Sequence, residues 1–262
     1  MNAQIVYFSA TDTTKKIVRA FADGLDCDVT FCDITKAKSR EKTIQIEHDL
    51  VVIAVPIYGE RIPRFLYDYL KQINGENKPL VTISVYGNMG YGISLAQFEE
   101  YARANHFKLI GAGTFIGEHT YASEKAPIAL RRPDEMDLKQ AQAFGSRVRE
   151  KLDANNLEPI TIPMPKIPMF ITKVPDTGTR SLIKQPAIKN SLCNNCKACT
   201  LRCPVGAIDY ETLEICEKKC IRCYACVKGC PKSARRAEFR LNLFEKIFGL
   251  IGSKRKENQI IL

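Results

Sequence analysis

Nine of the chain's 11 cysteines lie between Cys193 and Cys230, and eight of them follow one spacing twice. Residues 193–204 read CNNCKACTLRCP and residues 220–231 read CIRCYACVKGCP, so each run is C-x2-C-x2-C-x3-C-P. The sequences CPVGAI and CPKSAR follow the matching fourth cysteines, which makes the two runs an internal repeat. In a reducing compartment, so dense a group of cysteines predicts metal ligands rather than disulfides.

The doubled spacing resembles that of bacterial-type ferredoxins, which hold two [4Fe-4S] clusters. Two-residue gaps let three thiolates surround one cubane, and the fourth cysteine, which precedes proline, reaches the other cluster. Cluster 1 is therefore expected on Cys193, Cys196, Cys199 and Cys230, and cluster 2 on Cys203, Cys220, Cys223 and Cys226. Zinc sites also contain C-x2-C pairs, but the doubled order and the two Cys-Pro ends favour iron–sulfur clusters.

Three cysteines fit neither run. Cys216 lies four residues before Cys220, and we expect it in a hairpin that joins the two repeats, not as a ligand. Cys27 and Cys32 lie five residues apart in a strand pattern, on opposite faces, and we expect both to be buried and inert.

The first 155 residues alternate between strand-like and helix-like patterns. Apolar, β-branched runs that suit strands buried on both faces occupy residues 3–8, 28–34, 49–55, 79–85 and 108–116. Helical patterns occupy residues 13–24, 63–73, 93–105 and 134–153, with Thr13 or Thr14 as the expected cap of the first and Pro63 in the first turn of the second. This alternation predicts an α/β fold with a doubly wound, five-stranded parallel sheet.

In such a sheet a ligand binds at the carboxyl ends of the strands. The loops expected there read SATDTT (9–14), PIYGERIP (56–63) and YGNMGYG (86–92). The first is rich in hydroxyls and precedes a helix, which suits a phosphate. The other two combine glycines with tyrosines, which suits a planar ring against backbone.

Together the three loops resemble those of a flavodoxin, in which the hydroxyls of Ser9, Thr11 and Thr14 would match the phosphate loop and Asp12 replaces a glycine. The resemblance implies FMN, with its phosphate on residues 9–14 and its isoalloxazine between residues 56–60 and 86–91. Asp12 can take the left-handed backbone of the missing glycine, so we expect weaker binding rather than none. The implied FMN contacts are Ser9, Ala10, Thr11, Asp12, Thr13, Thr14, Pro56, Ile57, Tyr58, Gly59, Tyr86, Gly87, Asn88, Met89, Gly90 and Tyr91.

Less specific interpretations of these residues stay open. Residues 9–14 could be only a helix cap, and Tyr58, Tyr86 and Tyr91 could be packing residues. His119 could donate a proton near a flavin, although a hydrogen-bonded structural histidine is the simpler interpretation. A Rossmann nucleotide site needs G-x-G-x-x-G after the first strand, and the loop at 9–14 contains no glycine.

The whole chain resembles bacterial fusion proteins with an N-terminal flavodoxin-like domain and a small C-terminal α+β two-cluster ferredoxin. We expect a flavodoxin-like domain at 1–155, a proline-rich linker at 156–190, a ferredoxin module at 191–236 and an amphipathic tail at 237–262. The tail spaces Phe239, Leu243, Phe244, Ile247, Phe248 and Ile251 as a helix would, which predicts docking on the protein or, less simply, on a membrane surface.

The formal net charge is +10, and the basic residues are spread along the chain, which favours a solvated basic surface over a nucleic-acid site. From residue 191 onward there are 14 Lys and Arg against 7 Asp and Glu, so we expect an acidic redox partner. No apolar run reaches the ~18 residues of a membrane span, and no signal peptide is apparent. We expect a cytoplasmic protein.

Three functions are compatible with these features. The first is an electron-transfer protein that passes electrons between FMN and two [4Fe-4S] clusters. The second is an FMN-dependent reductase of a small molecule, fed by the clusters, with a pocket near Tyr91, Glu118 and His119. The third is a docking module whose flavodoxin-like domain is empty.

Overall fold

The five apolar runs of the N-terminal half form five parallel strands, as the sequence predicts. A computed structural model describes residues 1–163 and 178–262. The strands are β1 (Asn2–Tyr7), β2 (Asp28–Asp33), β3 (Leu50–Pro56), β4 (Pro79–Tyr86) and β5 (Lys108–Ile116). Between and after them come α1 (Thr13–Leu25), a 3-10 turn (Ala37–Arg40), α2 (Arg64–Leu70), α3 (Ser94–Ala104) and α4 (Glu135–Asp153).

The parallel strands lie in the order β2-β1-β3-β4-β5, with helices on both faces. One buried cluster packs α1 and α4 against one face of the sheet, and a second packs α2 and α3 against the other. This is the strand order of the flavodoxin-like doubly wound fold, whose ligand crevice opens where the order reverses, between β1 and β3. The loops after β1, β3 and β4 therefore share one end of the sheet.

Three local expectations about this half are corrected. β2 is an edge strand with a mostly exposed pattern, so the prediction of burial on both faces fails there; the Phe31 side chain is 42% exposed. Neither Thr13 nor Thr14 caps α1, because Asp12 holds the cap position without a side-chain hydrogen bond. Pro63 precedes α2 at its cap position rather than lying in its first turn.

The C-terminal residues extend this same sheet. Strand β8 (Gln259–Ile261) pairs antiparallel with β5, so the sheet has six strands and the sequence prediction of five is incomplete. Helix α8 (Asn242–Gly252) docks through Gly249 and Gly252, which lie against Ala126 and Ile128. The prediction that the tail docks through its apolar face is wrong in part, because Leu243, Ile247 and Ile251 are exposed.

The cysteine-rich module contains short elements: α5 (Gly178–Leu182), β6 (Ala187–Ile188), α6 (Ala198–Arg202), α7 (Ala225–Lys228) and β7 (Arg235–Arg236). β6 pairs antiparallel with β7, so the sheet of the module begins inside the segment predicted as linker. Pro165, Pro168 and Pro175 of that segment lie outside the described residues. Within residues 1–163 and 178–262, no helix is long and apolar enough to cross a bilayer.

Candidate functional site

The two cysteine runs share one backbone conformation. Left-handed φ angles recur at matched positions, namely Asn195 and Arg222 (57° and 56°), Lys197 and Tyr224 (60° and 56°), and Gly206 and Ser233 (57° and 48°). Turns of this kind point successive backbone N–H groups into a concave site that suits anions, iron–sulfur clusters among them. The sequence repeat is thus a repeat of the ligand-binding turn.

The fourth cysteine of each run is also held in the same way. The Cys203 Sγ accepts the Ala207 N–H at 3.2 Å, and the Cys230 Sγ accepts the Ala234 N–H at 3.2 Å.

The segment between the runs is a hairpin, with a bridge between Ile208 and Ile215, and Cys216 is exposed beside it.

The second cysteine set lines one cavity. Cys203, Cys220, Cys223 and Cys226 border this cavity, with Ile208, Ile215 and Ile221 among the other lining residues. Burial raises the pKa of the Cys220, Cys223 and Cys226 thiols, that of Cys226 to about 12, and the neighbouring Cys203 contributes to all three. The structure thus brings Cys203 of the first run to the first three cysteines of the second run.

The first set lies nearer the surface. Cys196 is exposed, and Cys193, Cys199 and Cys230 are half-buried. Burial acts to raise the pKa of the Cys230 thiol, but three backbone N–H groups and the charge of Arg235 outweigh it, and the pKa is lowered. Arg235 also donates from Nη2 to the Cys199 Sγ at 3.6 Å, so it contacts cysteines of both runs.

One orphaned donor fits an iron–sulfur cluster at this place. The Arg235 Nε is buried and has no acceptor among the described residues, although it lies beside the Cys199 ligand. Cluster sulfurs accept hydrogen bonds of this kind. No three His, Cys, Asp or Glu side chains of the described segments are grouped as a single metal ion would need.

On the α/β side, the loop after β1 forms an open helix N-terminus. The Ser9 N–H donates to the Thr35 Oγ1 at 2.9 Å, and the Ser9 Oγ accepts the Lys15 N–H at 3.1 Å. The N–H groups of residues 10–14 have no acceptor in the described part of the chain. Asp12 takes the left-handed conformation expected of it, with φ 62°, and its side chain is exposed.

The loops after β3 and β4 touch each other at Glu60. A Cβ added at Gly90 would lie 2.5 Å from the Glu60 Oε1, and one at Gly92 would lie 2.3 Å from the Glu60 Cβ. A Cβ at Gly59 would meet nothing within 4 Å. The space between the loops is therefore closed at residues 60 and 90–92 and open at Gly59.

The C-terminal segment holds the loop after β4, and sequence reasoning missed it. The Asn88 side-chain amide donates to the Gly252 and Lys254 carbonyls at 2.8 and 2.7 Å. Lys256 Nζ donates to the Met89 carbonyl at 2.9 Å. The only signal in the sequence is the apolar end QIIL, which is too short to predict a strand.

The tyrosines of the two loops differ in surroundings. Tyr86 is buried in the core and meets Tyr91 edge to face at 5.5 Å, and the Tyr91 hydroxyl donates to the Gln259 Oε1 at 2.7 Å. Tyr86 and Tyr91 thus fit the packing interpretation. Tyr58 lies near Cys223 and Tyr121, and its pKa is well above the ordinary value because of burial and then those neighbours.

The cysteine module covers the loop end of the sheet. The Arg40 Nη2 donates to the Pro204 carbonyl at 2.7 Å, and Lys36 Nζ donates to the Leu201 carbonyl. On the other side, Lys228 Nζ pairs with the Glu118 carboxylate. These contacts orient the module so that the second group of cysteines faces the Tyr58 loop. Cys196 of the first group stays at the outer surface.

His119 is a packed, neutral side chain within this arrangement. Its Nδ1 accepts the Tyr121 N–H at 3.1 Å, and its ring rests on Gly87, where an added Cβ would lie 2.3 Å from the His119 Cδ2. Burial, and to a lesser degree the charge of Lys228, lowers its pKa from 6.5 to about 4. These contacts fit the interpretation of His119 as a hydrogen-bonded structural residue rather than a proton donor.

We expect the His119 ring to titrate near pH 4, measured by NMR of its ring protons. Because its folded pKa is below its unfolded pKa, its contribution is full above pH 6.5 and is lost as the pH falls toward about 4. His119→Gln should flatten that part of the stability profile. A His119 resonance that titrates near 6.5 would contradict the packing described here.

Comparison with known proteins supports the C-terminal assignment. Residues 186–209 match the family model described as the 4Fe-4S binding domain. No curated protein matches the sequence.

Solved structures similar to the α/β half include a flavodoxin from Archaea, with 17% identity over 58% of this chain and 99% of that chain and a TM-score of 0.42. Flavodoxin 2 from Bacillus cereus matches with 17% identity over 58% and 99% and a TM-score of 0.45. Rubredoxin oxygen:oxidoreductase from Desulfovibrio gigas matches with 15% identity over 59% of this chain and 37% of that chain and a TM-score of 0.42.

The strand order of the sheet and the matched 4Fe-4S domain each identify one half of the molecule. The chain joins a domain of flavodoxin-like fold to a cysteine-rich module in which residues 186–209 match the 4Fe-4S binding domain.

Proposed function

We propose that this chain transfers electrons between an FMN in its flavodoxin-like domain and two [4Fe-4S] clusters in its ferredoxin module. One observation carries the proposal: the run that holds Cys220, Cys223 and Cys226 packs on the α/β domain, where Tyr224 meets Tyr121 edge to face at 4.8 Å and Cys223 acts on the pKa of Tyr58. If the flavodoxin-like domain and the ferredoxin module acted independently, their candidate cofactor sites would not need to lie side by side. Cys196 of the first set lies at the surface, where a partner can reach it.

The loop at 9–14 suits the FMN phosphate. Five successive N–H groups, which have no acceptor in residues 1–163 and 178–262, lie at the N-terminus of α1, where the helix dipole favours an anion. The Ser9 hydroxyl already accepts the Lys15 N–H, so Ser9 shapes the loop while the backbone N–H groups bind. The exposed Asp12 carboxylate leaves these groups free, at some electrostatic cost.

For the isoalloxazine we propose the side of Tyr58 and Gly59. Glu60 closes the gap toward Gly90 and Gly92, whereas Gly59 borders open space. A ring placed there would lie between the α/β domain and the cavity that Cys223 and Cys226 line. The Tyr58 side chain, half-buried between the two, would fix the plane of the ring.

The cysteine sets would then act in series. A bound FMN would supply two-electron chemistry, with two protons exchanged with solvent, and each of two clusters would supply a one-electron step. Cys203, Cys220, Cys223 and Cys226 hold the inner cluster and exclude water from it. The other four cysteines hold an outer cluster that exchanges electrons with the partner, or supplies them when flow is reversed.

The surface around the outer set suits an acidic redox protein. Leu201 is 67% exposed and Tyr210 is 54% exposed, and residues 191–262 contain twice as many basic as acidic residues. Exposed apolar side chains in a basic field are typical of a transient electron-transfer interface. We propose a cytoplasmic setting, where the cysteines stay reduced for cluster assembly.

A second candidate function is the FMN-dependent reduction of a small molecule. An open cleft beside the loop after β4 is lined by Glu60, Tyr91, Leu95, Lys256 and Gln259. A substrate bound there would lie next to the flavin loops. Substrate-dependent reoxidation of the reduced protein, screened over small acceptors, would favour this function.

The composition of anaerobically purified protein tests the proposal. Iron, sulfide and flavin analysis should give about eight irons and one FMN per chain. About two irons or fewer, or bound zinc, would refute the cluster assignment. A full iron content with no affinity for added FMN would refute the FMN site and favour a flavodoxin-like domain that only docks partners.

Asp12→Gly is expected to tighten FMN binding. Glycine keeps the left-handed backbone of Asp12 (φ 62°) and removes a carboxylate beside the phosphate. One unit charge ~4 Å away in water amounts to about 1 kcal/mol, or about fivefold in Kd. Asp12→Asn, which also tolerates this backbone, should give most of the gain, as measured by fluorescence titration with FMN. Unchanged or weaker binding in both variants would place the phosphate elsewhere.

A further inference from the structure

The two halves of the internal repeat differ at one buried position. Arg235 and Ile208 each follow the fourth cysteine of their run by five residues. Both side chains are buried, with 4% and 8% exposure, and Ile208 lines the inner cavity. A strong cation thus stands at the outer cluster where the inner cluster has an aliphatic side chain.

The contacts of Arg235 leave its charge uncompensated. Its guanidinium donates to the Leu213 carbonyl at 2.8 Å, to the Pro186 carbonyl at 3.4 Å and to the Cys199 Sγ at 3.6 Å. No carboxylate within the described segments lies within ion-pair distance of it. Among the cysteines, Arg235 contacts Cys199 directly and acts on Cys230, both of the outer set, and its charge also acts on Cys226 of the inner set.

The inner cavity has its own buried arginine, but that charge is balanced. Arg222 pairs with the Glu217 carboxylate at 2.8 Å and donates to the Ile183 carbonyl at 3.0 Å. A cation next to an anion has a weak net field at a distance. A second arginine, Arg180, donates to the Cys220 carbonyl at 3.3 Å but is less buried than Arg235. The asymmetry between the two sites is thus a buried guanidinium without a carboxylate partner in the described segments, together with one N–H···S contact.

We propose that Arg235 raises the reduction potential of the outer cluster above that of the inner cluster. Reduction adds a negative charge to the cluster, and a buried cation with a hydrogen bond to a ligand sulfur stabilises that state. Solvent exposure near Cys196 acts in the same direction. Electrons that arrive from the flavin side therefore run downhill to the surface, which defines a preferred direction.

The test is a pair of substitutions in the loaded, full-length protein, and it rests on the proposed two-cluster function. Arg235→Ile copies the inner site, and Arg236→Ile removes an equal charge from the neighbouring exposed position. The midpoint potential of each cluster is followed by EPR in an anaerobic redox titration. Signals are assigned with Cys196→Ala, which should lack the outer cluster.

We expect Arg235→Ile to shift the outer cluster at least about tenfold toward its oxidised form, which corresponds to 59 mV for one electron. The Arg235 charge also acts on Cys226, so the reduction potential of the inner cluster should fall too, but by less than that of the outer cluster. Arg236→Ile should move neither potential by a comparable amount. Equal shifts in the two variants, or a larger shift at the inner cluster, would overturn the inference.

A second pair of variants applies if Arg235→Ile does not assemble both clusters. Arg235→Lys keeps the charge and Arg235→Gln keeps only hydrogen-bonding capacity, so the glutamine protein should have the lower outer potential. Equal outer potentials in these two would overturn the inference. A wild-type protein with fewer than two clusters refutes the proposed function itself, whereas eight irons without a potential difference refutes only the role of Arg235.

Discussion

Cys223→Ala is expected to lose the inner cluster and to disconnect the outer cluster from the flavin site. Cys223 is buried in the inner cavity and acts on the pKa of Tyr58, so we propose that it is both a cluster ligand and part of the path between the two halves. The purified variant should contain about four irons rather than eight. Reduction of the remaining cluster through the flavin should be slower by orders of magnitude, because the intermediate carrier is gone.

Two variants serve as controls for this result. Cys216→Ala removes an exposed cysteine of the same module that fits neither run, and should keep all the iron. Cys196→Ala should remove the outer cluster and leave the inner one reducible by the flavin. A Cys223→Ala protein with a full iron content and unchanged transfer would refute the order of the clusters.

Asp137→Ala is expected to be the most destabilising single change in the α/β domain. Its carboxylate is fully buried and accepts hydrogen bonds from Arg132, from the Asp134 N–H at 2.9 Å and from the Asn258 amide at 2.8 Å. Its removal leaves the buried Arg132 guanidinium unpaired, which costs about 3–5 kcal/mol. The C-terminal segment should loosen too, because Arg132 also binds the Lys256 carbonyl at 3.0 Å.

Urea unfolding followed by circular dichroism measures this effect. Glu135→Ala is the matched control, since Glu135 lies on the same helix and forms an exposed pair with Lys139 at 2.8 Å. Its loss should cost at most about 1 kcal/mol. Similar losses in the two variants would show that the buried network does not support the fold as described.

The α/β half could be predicted closely because its signals are local. Five β-branched runs separated by helical patterns define a parallel sheet, and their bounds differ from the observed strands by at most one residue. The cysteine spacing is equally local, and it predicted that Cys203 joins the second run. The left-handed backbone of Asp12 followed from the residue type at a position where glycine is usual.

The C-terminal segment could not be predicted, because its structure depends on distant partners. Strand β8 has three residues and exists only through its pairing with β5, more than 140 residues earlier in the chain. Helix α8 docks by glycines, since Gly249 and Gly252 allow close approach to Ala126 and Ile128. A hydrophobic pattern points to leucines and isoleucines instead, and those are the residues that α8 exposes.

The arrangement of the site likewise depends on tertiary contacts. The closure of the loops after β3 and β4 at Glu60 depends on how Gly90 and Gly92 pack, which the loop sequences alone do not define. The approach of Tyr58 to Cys223 depends on how the cysteine module docks, through residues such as Arg40 and Lys228 that carry no motif.

Electron transfer within a single chain tests the central claim most directly. In the loaded, anaerobic protein a light pulse with a deazaflavin donor reduces the flavin, and the absorbance of flavin and clusters is followed at several protein concentrations. We expect the clusters to bleach as the flavin absorbance recovers, at a first-order rate that does not depend on protein concentration. A rate proportional to protein concentration, or clusters that stay oxidised while the flavin remains reduced, would contradict the proposed path from the Tyr58 loop to the inner cysteine set.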